Sequence, residues 1–284
     1  MEEKVSPLTT PRKRHHTGNL FFDMYDMMTD SYLNAELLQS NLDADIIEFE
    51  KAWNAPRVRH LLNNLCSYED AVYFEAGVAA GSSYISALYK NYHATSYSCD
   101  IFLEKKCGPN GLQQFVDNVD KFRDYLPDPE NQTLFPGDCW KVPMGDFFKK
   151  RPNVFFYDAG HSKEDHTLAM THFLPILDDY FIMIIDDWND DRVMKGTMKG
   201  MEVMMEKKLG SILTYRDLHA FPHHAQGWKF AHTCTVGKDT FGDQTRWGNG
   251  ILMLIIENAL GHALRKDVQD GKRRHPPYHQ LLDI

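Results

Sequence analysis

The chain has 284 residues, 43% hydrophobic and 25% charged, with a formal net charge of -9. This is the composition of a globular protein long enough to bury a sizeable core, and its acidic balance argues against a nucleic-acid binder, which would carry a basic footprint. The longest apolar run, "GILMLII" at 250–256, is too short to span a bilayer, and Cys66, Cys99, Cys107, Cys139 and Cys234 contain no CxxC pair that would suggest a zinc ribbon or a disulfide framework.

Residues 1–18 are polar and basic and read as a disordered arm, whose "RKRHH" could meet a charged partner. No apolar segment follows those basic residues as a secretory signal requires, so the expected location is soluble and cytoplasmic, with the cysteines as free thiols. Residues 19–66 read as a helical extension. "AELLQSNLDADIIEFEKAW" has apolar residues at helical spacing, and "APRVRHLLNNL" forms a second amphipathic helix with Pro56 near its first turn.

From residue 67 to about 260 strands and helices alternate. "AVYFE", "TSYSCD", "QTLFPGD", "NVFFYDAG" and "YFIMIIDDW" read as strands. Between them "GSSYISALYKNY", "NGLQQFVDNVDKFRDYL", "MGDFFKK" and "KEDHTLAMTHFLPIL" read as helices. After the fifth strand come the helix "DRVMKGTMKGMEVMMEKKL" and two final strands, "SILTY" and "GILMLIIE". Such alternation predicts an α/β domain with a parallel sheet. The His-, Gly- and aromatic-rich stretch 217–249 is an insertion too long to be an idle loop. Residues 261–284 form a C-terminal tail, whose "GKRRHPPYHQ" is expected to be mobile. The Met-rich helix suits a core or an oligomer face, which leaves a homo-oligomer open.

The most informative stretch is "YFEAGVAAGSSY" at 73–84. An apolar strand ends on Glu75, and Gly77 and Gly81 follow, four apart. In an open α/β sheet ligands bind beyond the carboxyl ends of the strands. Glycines let another molecule approach the backbone. GxGxxG is absent, which disfavours a nicotinamide oxidoreductase, and an acid at the strand end would repel a pyrophosphate. A ligand with a cationic group and hydroxyls suits the site better. "FEAGVAAGSS" resembles the first motif of class I S-adenosylmethionine-dependent methyltransferases. The resemblance implies a Rossmann-like, doubly wound, mostly parallel seven-stranded sheet in the order 3-2-1-4-5-7-6. It also implies that Glu75, Gly77, Ala79, Gly81, Ser82 and Ser83 seat S-adenosylmethionine. Asp100, ending the second strand, would take the ribose hydroxyls, Asp138 would lie near the adenine, and Asp158 would border the cofactor.

A second feature carries the chemistry. "FFYDAGHSKED" and "IMIIDDWND" place Asp158, Asp186 and Asp187 at the carboxyl ends of adjacent strands. Carboxylates crowded there repel one another and raise one another's pKa unless a cation neutralises them. Hard oxygen donors suit Mg²⁺ or another divalent cation; the bland reading is that Asp186 and Asp187 cap the next helix. The stretch resembles metal-dependent small-molecule and sugar O-methyltransferases of the macrocin type, which implies Asp158, Asp186 and Asp187 as metal ligands and a small-molecule or glycan acceptor. The family's further acid two residues after the first ligand is Gly160 here, and "DDYF" replaces its glycine pair before the fifth strand. His161 is the natural substitute as general base; its bland reading is a structural histidine. His219, His223 and His224 in the insertion are candidates to touch the acceptor, and Trp188 to wall the site. Two other readings stay open: a non-catalytic binding or assembly module on the same fold, and a metal-independent methyltransferase.

Overall fold

Strands that are apolar at successive positions must be buried on both faces, and that requirement organises the domain. The computed structural model describes residues 10–43, 46, 54–218, 247–248 and 250–269. The expectations about His219, His223 and His224, most of the insertion, and the tail beyond 269 lie outside those residues.

Strands β1 (Val72–Ala76), β2 (Thr95–Cys99), β3 (Gln132–Phe135), β4 (Val154–Tyr157), β5 (Tyr180–Ile185), β6 (Ser211–Leu218) and β7 (Ile251–Glu257) form one sheet in the order β3-β2-β1-β4-β5-β7-β6. The first five are mutually parallel, and β7 runs antiparallel to both β5 and β6. This is the order and mostly parallel sense expected above. Val154, Phe156, Ile182, Ile184, Met253 and Ile255 point into one core cluster. Their neighbours Phe155, Tyr157, Met183, Ile185, Leu254 and Ile256 point into the other.

Helices cover both faces. The first cluster takes residues from α1 (Leu20–Glu36), α2 (Pro56–Cys66) and α3 (Ser82–Leu88), and, after the short α4 (Glu104–Cys107), from α5 (Gly111–Lys121). The second takes residues from the short α6 (Met144–Phe147), α7 (Lys163–His172) and α8 (Asp191–Glu206), and α9 (Ala259–Gln269) follows β7. In α1, Met24, Met27, Met28, Ser31 and Ala35 are buried, a helical stripe begun by Asn19, whose side chain accepts the Phe21 N–H. Ser162 and Asp165 close a capping box on α7. Met204 of α8 is buried while Met198 and Met205 are exposed, so the methionines serve the core on one side only. Among the described residues no helix is long and apolar enough to cross a membrane.

Two N-terminal expectations are corrected. Residues 10–18 are not a free arm. Arg12 forms a parallel bridge with Tyr68, and Arg14 pairs with Asp70 at 2.5 Å. Asp70, after α2, and Asn64 within it therefore hold this basic segment. The helix expected over 35–53 does not continue through its described part either. Helix α1 ends at Glu36, and Leu38 has a φ of 54°.

The glycine turn after β1 is forced by packing. Gly77 has a φ of +94°, and a Cβ there would lie 2.0 Å from the carbonyl oxygen of Asp158. Gly108 has a similar φ of +77° with nothing within 4 Å. Urea unfolding should show Gly108→Ala losing about 1–3 kcal/mol, the backbone strain alone. Gly77→Ala should lose roughly 3 kcal/mol or more, because β4 must also move. Equal losses would mean that the contact between the β1 turn and β4 carries no weight.

Candidate functional site at the strand tips

The strand order reverses between β1 and β4, and the carboxyl ends of these strands border the crevice where a doubly wound sheet binds ligands. Around it stand the turn 77–81, Asp100 after β2, Asp158 after β4, and Asp186 with Asp187 after β5.

The turn is held from two sides. Ala79, at a φ of 43°, donates its N–H to Asp100 Oδ2 at 2.8 Å. Asp100 Oδ1 accepts the Phe102 N–H at 2.5 Å. Gly81, also at positive φ, is the N-cap residue of α3, and Ser82 and Ser83 make the buried first turn. Glu75 does not line the crevice as expected. It is 0% exposed, accepts hydrogen bonds from Tyr73 Oη at 2.7 Å and from Ser83 Oγ, and so ties α3 to β1 from below. Burial pushes its carboxyl up to about 8, against the lowering effect of the two hydroxyls. Ser83 is turned the same way, toward Glu75 rather than toward a ligand. Asp138 caps a short 3₁₀ turn, accepting the Trp140 N–H at 3.1 Å and lying 3.5 Å from Lys141 Nζ.

The acids beyond β4 and β5 do converge. Tyr157 is paired with Ile185, so the next residues, Asp158 and Asp186, emerge side by side. Ligand atoms of Asp158, His161 and Asp187 lie within 4.8 Å of one another. His161 Nδ1 is 2.7 Å from Asp187 Oδ2. Asp187 is left-handed, at a φ of 56°, and donates its N–H to Asp186 Oδ1 at 2.9 Å. Burial, then the charges of Asp186 and Asp187, push Asp158 well above the carboxylate range. Burial followed by Asp187 raises Asp186 to about 7. Of the expected trio, Asp158 and Asp187 gather with His161, while Asp186 shares the Asn54 amide with Asp158. The capping reading fails, because Asp190 is the N-cap of α8.

Asp186 faces Asn54, which the sequence analysis missed. Asn54 Nδ2 donates to Asp186 Oδ2 at 2.8 Å and to Asp158 Oδ2 at 3.3 Å. The partners are 132 and 104 residues away, with no motif to join them. Trp188 does not wall the site. It packs into the second core cluster, and its indole N–H has no hydrogen-bond partner. Behind the site His166 is buried with its ring 5.0 Å from that of Tyr157, and burial lowers it to about 4, so it stays neutral.

No family model and no curated protein matches this chain. Solved structures do. Cofactor-bound Rv0187 from MTB has a TM-score of 0.49 at 14% identity, covering 84% of this chain and 95% of its own. An O-methyltransferase from Bacillus cereus in complex with SAH has a TM-score of 0.47 at 12% identity, covering 81% and 90%. The O-methyltransferase TomG from Streptomyces achromogenes, involved in tomaymycin synthesis and in complex with SAM, has a TM-score of 0.47 at 11% identity, covering 85% and 96%. Likenesses at these scores carry no argument here; the fold rests on the strand order and the site on its own geometry.

The buried Glu75 sets a pH dependence. Its folded-state pKa, about 8, stands above the ordinary 4.5, so the folded protein favours the neutral form. The stability it contributes is fully present below about pH 4.5 and is lost as pH rises toward 8. Urea unfolding at pH 5 and pH 8 should therefore show the stability difference shifting in favour of Glu75→Gln as pH rises, by up to about 1.4 kcal/mol per pH unit. A pH-independent difference would mean that Glu75 is ionised in the folded protein.

Proposed function

We propose that the chain is an S-adenosylmethionine-dependent O-methyltransferase. It moves the methyl group of the donor to a hydroxyl of a small molecule or sugar, with a divalent cation held at the strand tips. One observation carries this reading. The turn over Gly77 lies directly against Asp158, so the place for a donor and the Asp158–His161–Asp187 group are neighbours across a backbone contact. The residues suit such an ion: carboxylates raised by burial and then by their mutual repulsion are those a cation would relieve. Asp158 and Asp187 would hold it, as hard oxygen donors suit Mg²⁺ or a similar ion. A bound ion lowers the pKa of a hydroxyl and orients it.

The chain's own groups supply the rest. The turn 77–81 seats the sulfonium donor, and Asp100 accepts two backbone N–H groups. A carboxylate has about four acceptor positions, so two remain for ribose hydroxyls. The hydroxyl oxygen attacks the methyl carbon, the carbon–sulfur bond breaks, and its electron pair stays on sulfur as a neutral thioether. The hydroxyl proton goes to His161. Its Nδ1 is occupied by Asp187, which orients the ring and leaves Nε2 to accept. Alignment of oxygen, methyl carbon and sulfur supplies much of the acceleration.

Chelation should abolish turnover and added Mg²⁺ restore it. Asp187→Ala should lower kcat about 10²-fold or more while leaving S-adenosylmethionine affinity, read by calorimetry, close to that of the wild type; full activity in that variant removes the cation from the mechanism. His161→Gln should lower kcat by roughly 10²–10⁴-fold, and an unchanged kcat would assign the histidine to structure alone. If the wild type binds no S-adenosylmethionine, the fold serves as a binding module instead.

A further inference from the structure

Asn54 links the N-terminal extension directly to the carboxylates. It lies immediately before α2 and is 5% exposed. Its amide nitrogen donates to oxygens on two different strand tips, Asp158 Oδ2 after β4 and Asp186 Oδ2 after β5. Each carboxyl thereby gains a donor, and the two are held at one spacing despite their repulsion. On Asp158 this hydrogen bond takes Oδ2 alone, whereas Asp186 Oδ1 already accepts the Asp187 N–H.

The extension is also fastened to the turn that carries Asp186 and Asp187. Trp247 stacks on Tyr32 of α1, with ring centroids 5.8 Å apart, and donates its indole N–H to Glu36 at 2.8 Å. Glu36 pairs with Arg57 of α2, whose guanidinium lies 5.9 Å from the Trp247 ring centre. A Cβ at Gly248 would lie 3.3 Å from the Ala55 side chain, next to Asn54. Gly250 donates its N–H to the Trp247 carbonyl and accepts the Trp188 N–H, both at 3.0 Å. The extension therefore reaches the acids twice: through Asn54, and through Trp247 and Gly250 to the residue after Asp187.

From this we infer that Asn54 is a positioning residue through which docking of the N-terminal extension and binding of the divalent cation are coupled. The inference rests on the cation reading above and adds a requirement to it. With Asn54 in place, Asp158 is pre-oriented with Oδ1 free. With the extension undocked, the carboxylates lose their shared donor and the ion must order them itself. Coupling of this kind is reciprocal, so a bound cation must hold α1 and α2 down more firmly.

The test uses the full chain with Mg²⁺ alone, without substrate. Calorimetry reads cation affinity, and hydrogen exchange reads protection in α1 and α2. In the wild type Mg²⁺ should slow exchange in both helices. Asn54→Ala should bind Mg²⁺ about 10–100-fold more weakly and show no Mg²⁺-dependent slowing there. Glu36→Gln touches no carboxylate at the strand tips and guards against an Asn54 variant that fails to fold; it too should lose about fivefold or more in Mg²⁺ affinity. A purely structural Asn54 would lower stability and leave Mg²⁺ affinity alone. Wild-type affinity in both variants, or Mg²⁺ binding without slower exchange in α1 and α2 of the wild type, overturns the coupling while the cation reading survives. Absence of Mg²⁺ binding to the wild type overturns both.

Discussion

Two carboxyl groups stand side by side because β4 and β5 are parallel and Tyr157 pairs with Ile185. Once that register is set, Asp158 and Asp186 cannot avoid each other, and the surroundings answer the repulsion. Asp187 takes a left-handed backbone and donates its N–H to Asp186, His161 pairs with Asp187, and Asn54 donates to Oδ2 of both Asp158 and Asp186. An αL conformation costs about 1–2 kcal/mol for a residue with a side chain. Asp187 holds it next to the carboxylates, so the tip of β5 is shaped by the acid group as well as by strand pairing.

A second carboxyl is handled in the opposite way. Glu75 lies under the turn rather than beside it, removed from water and held by Tyr73 and Ser83. Burial keeps it neutral near pH 7 against the pull of the two hydroxyl donors, so it acts as a polar pin between β1 and α3. Asp100 lies between these extremes: half-buried, it supports the turn through Ala79 and keeps acceptor capacity toward the crevice. Three acids that look alike in the sequence thus differ in role through depth and partners.

The N-terminal extension joins these parts. Its inner stripe of methionines seals the first core cluster, and its end reaches the acids through Asn54. Hydrogen bonds and ring contacts run from the Glu36–Arg57–Trp247 contact to the residue after Asp187, the path on which the proposed coupling rests.

Much of this architecture is legible in the amino-acid order. Alternating apolar strands and amphipathic helices determined an α/β sheet, the motif around Gly77 implied its strand order, and "YDAGH" with "IIDDW" placed acids at neighbouring strand tips. Those features are local, written in spacing and side-chain type. Tertiary packing decided what spacing cannot express: that Glu75 points down and not out, that Asp186 turns to Asn54 while His161 joins Asp158 and Asp187, and that Asp190, not the acid pair, caps α8. The reason is physical. A side chain's direction and protonation depend on burial and on partners more than a hundred residues away in the chain, and only folding brings those together.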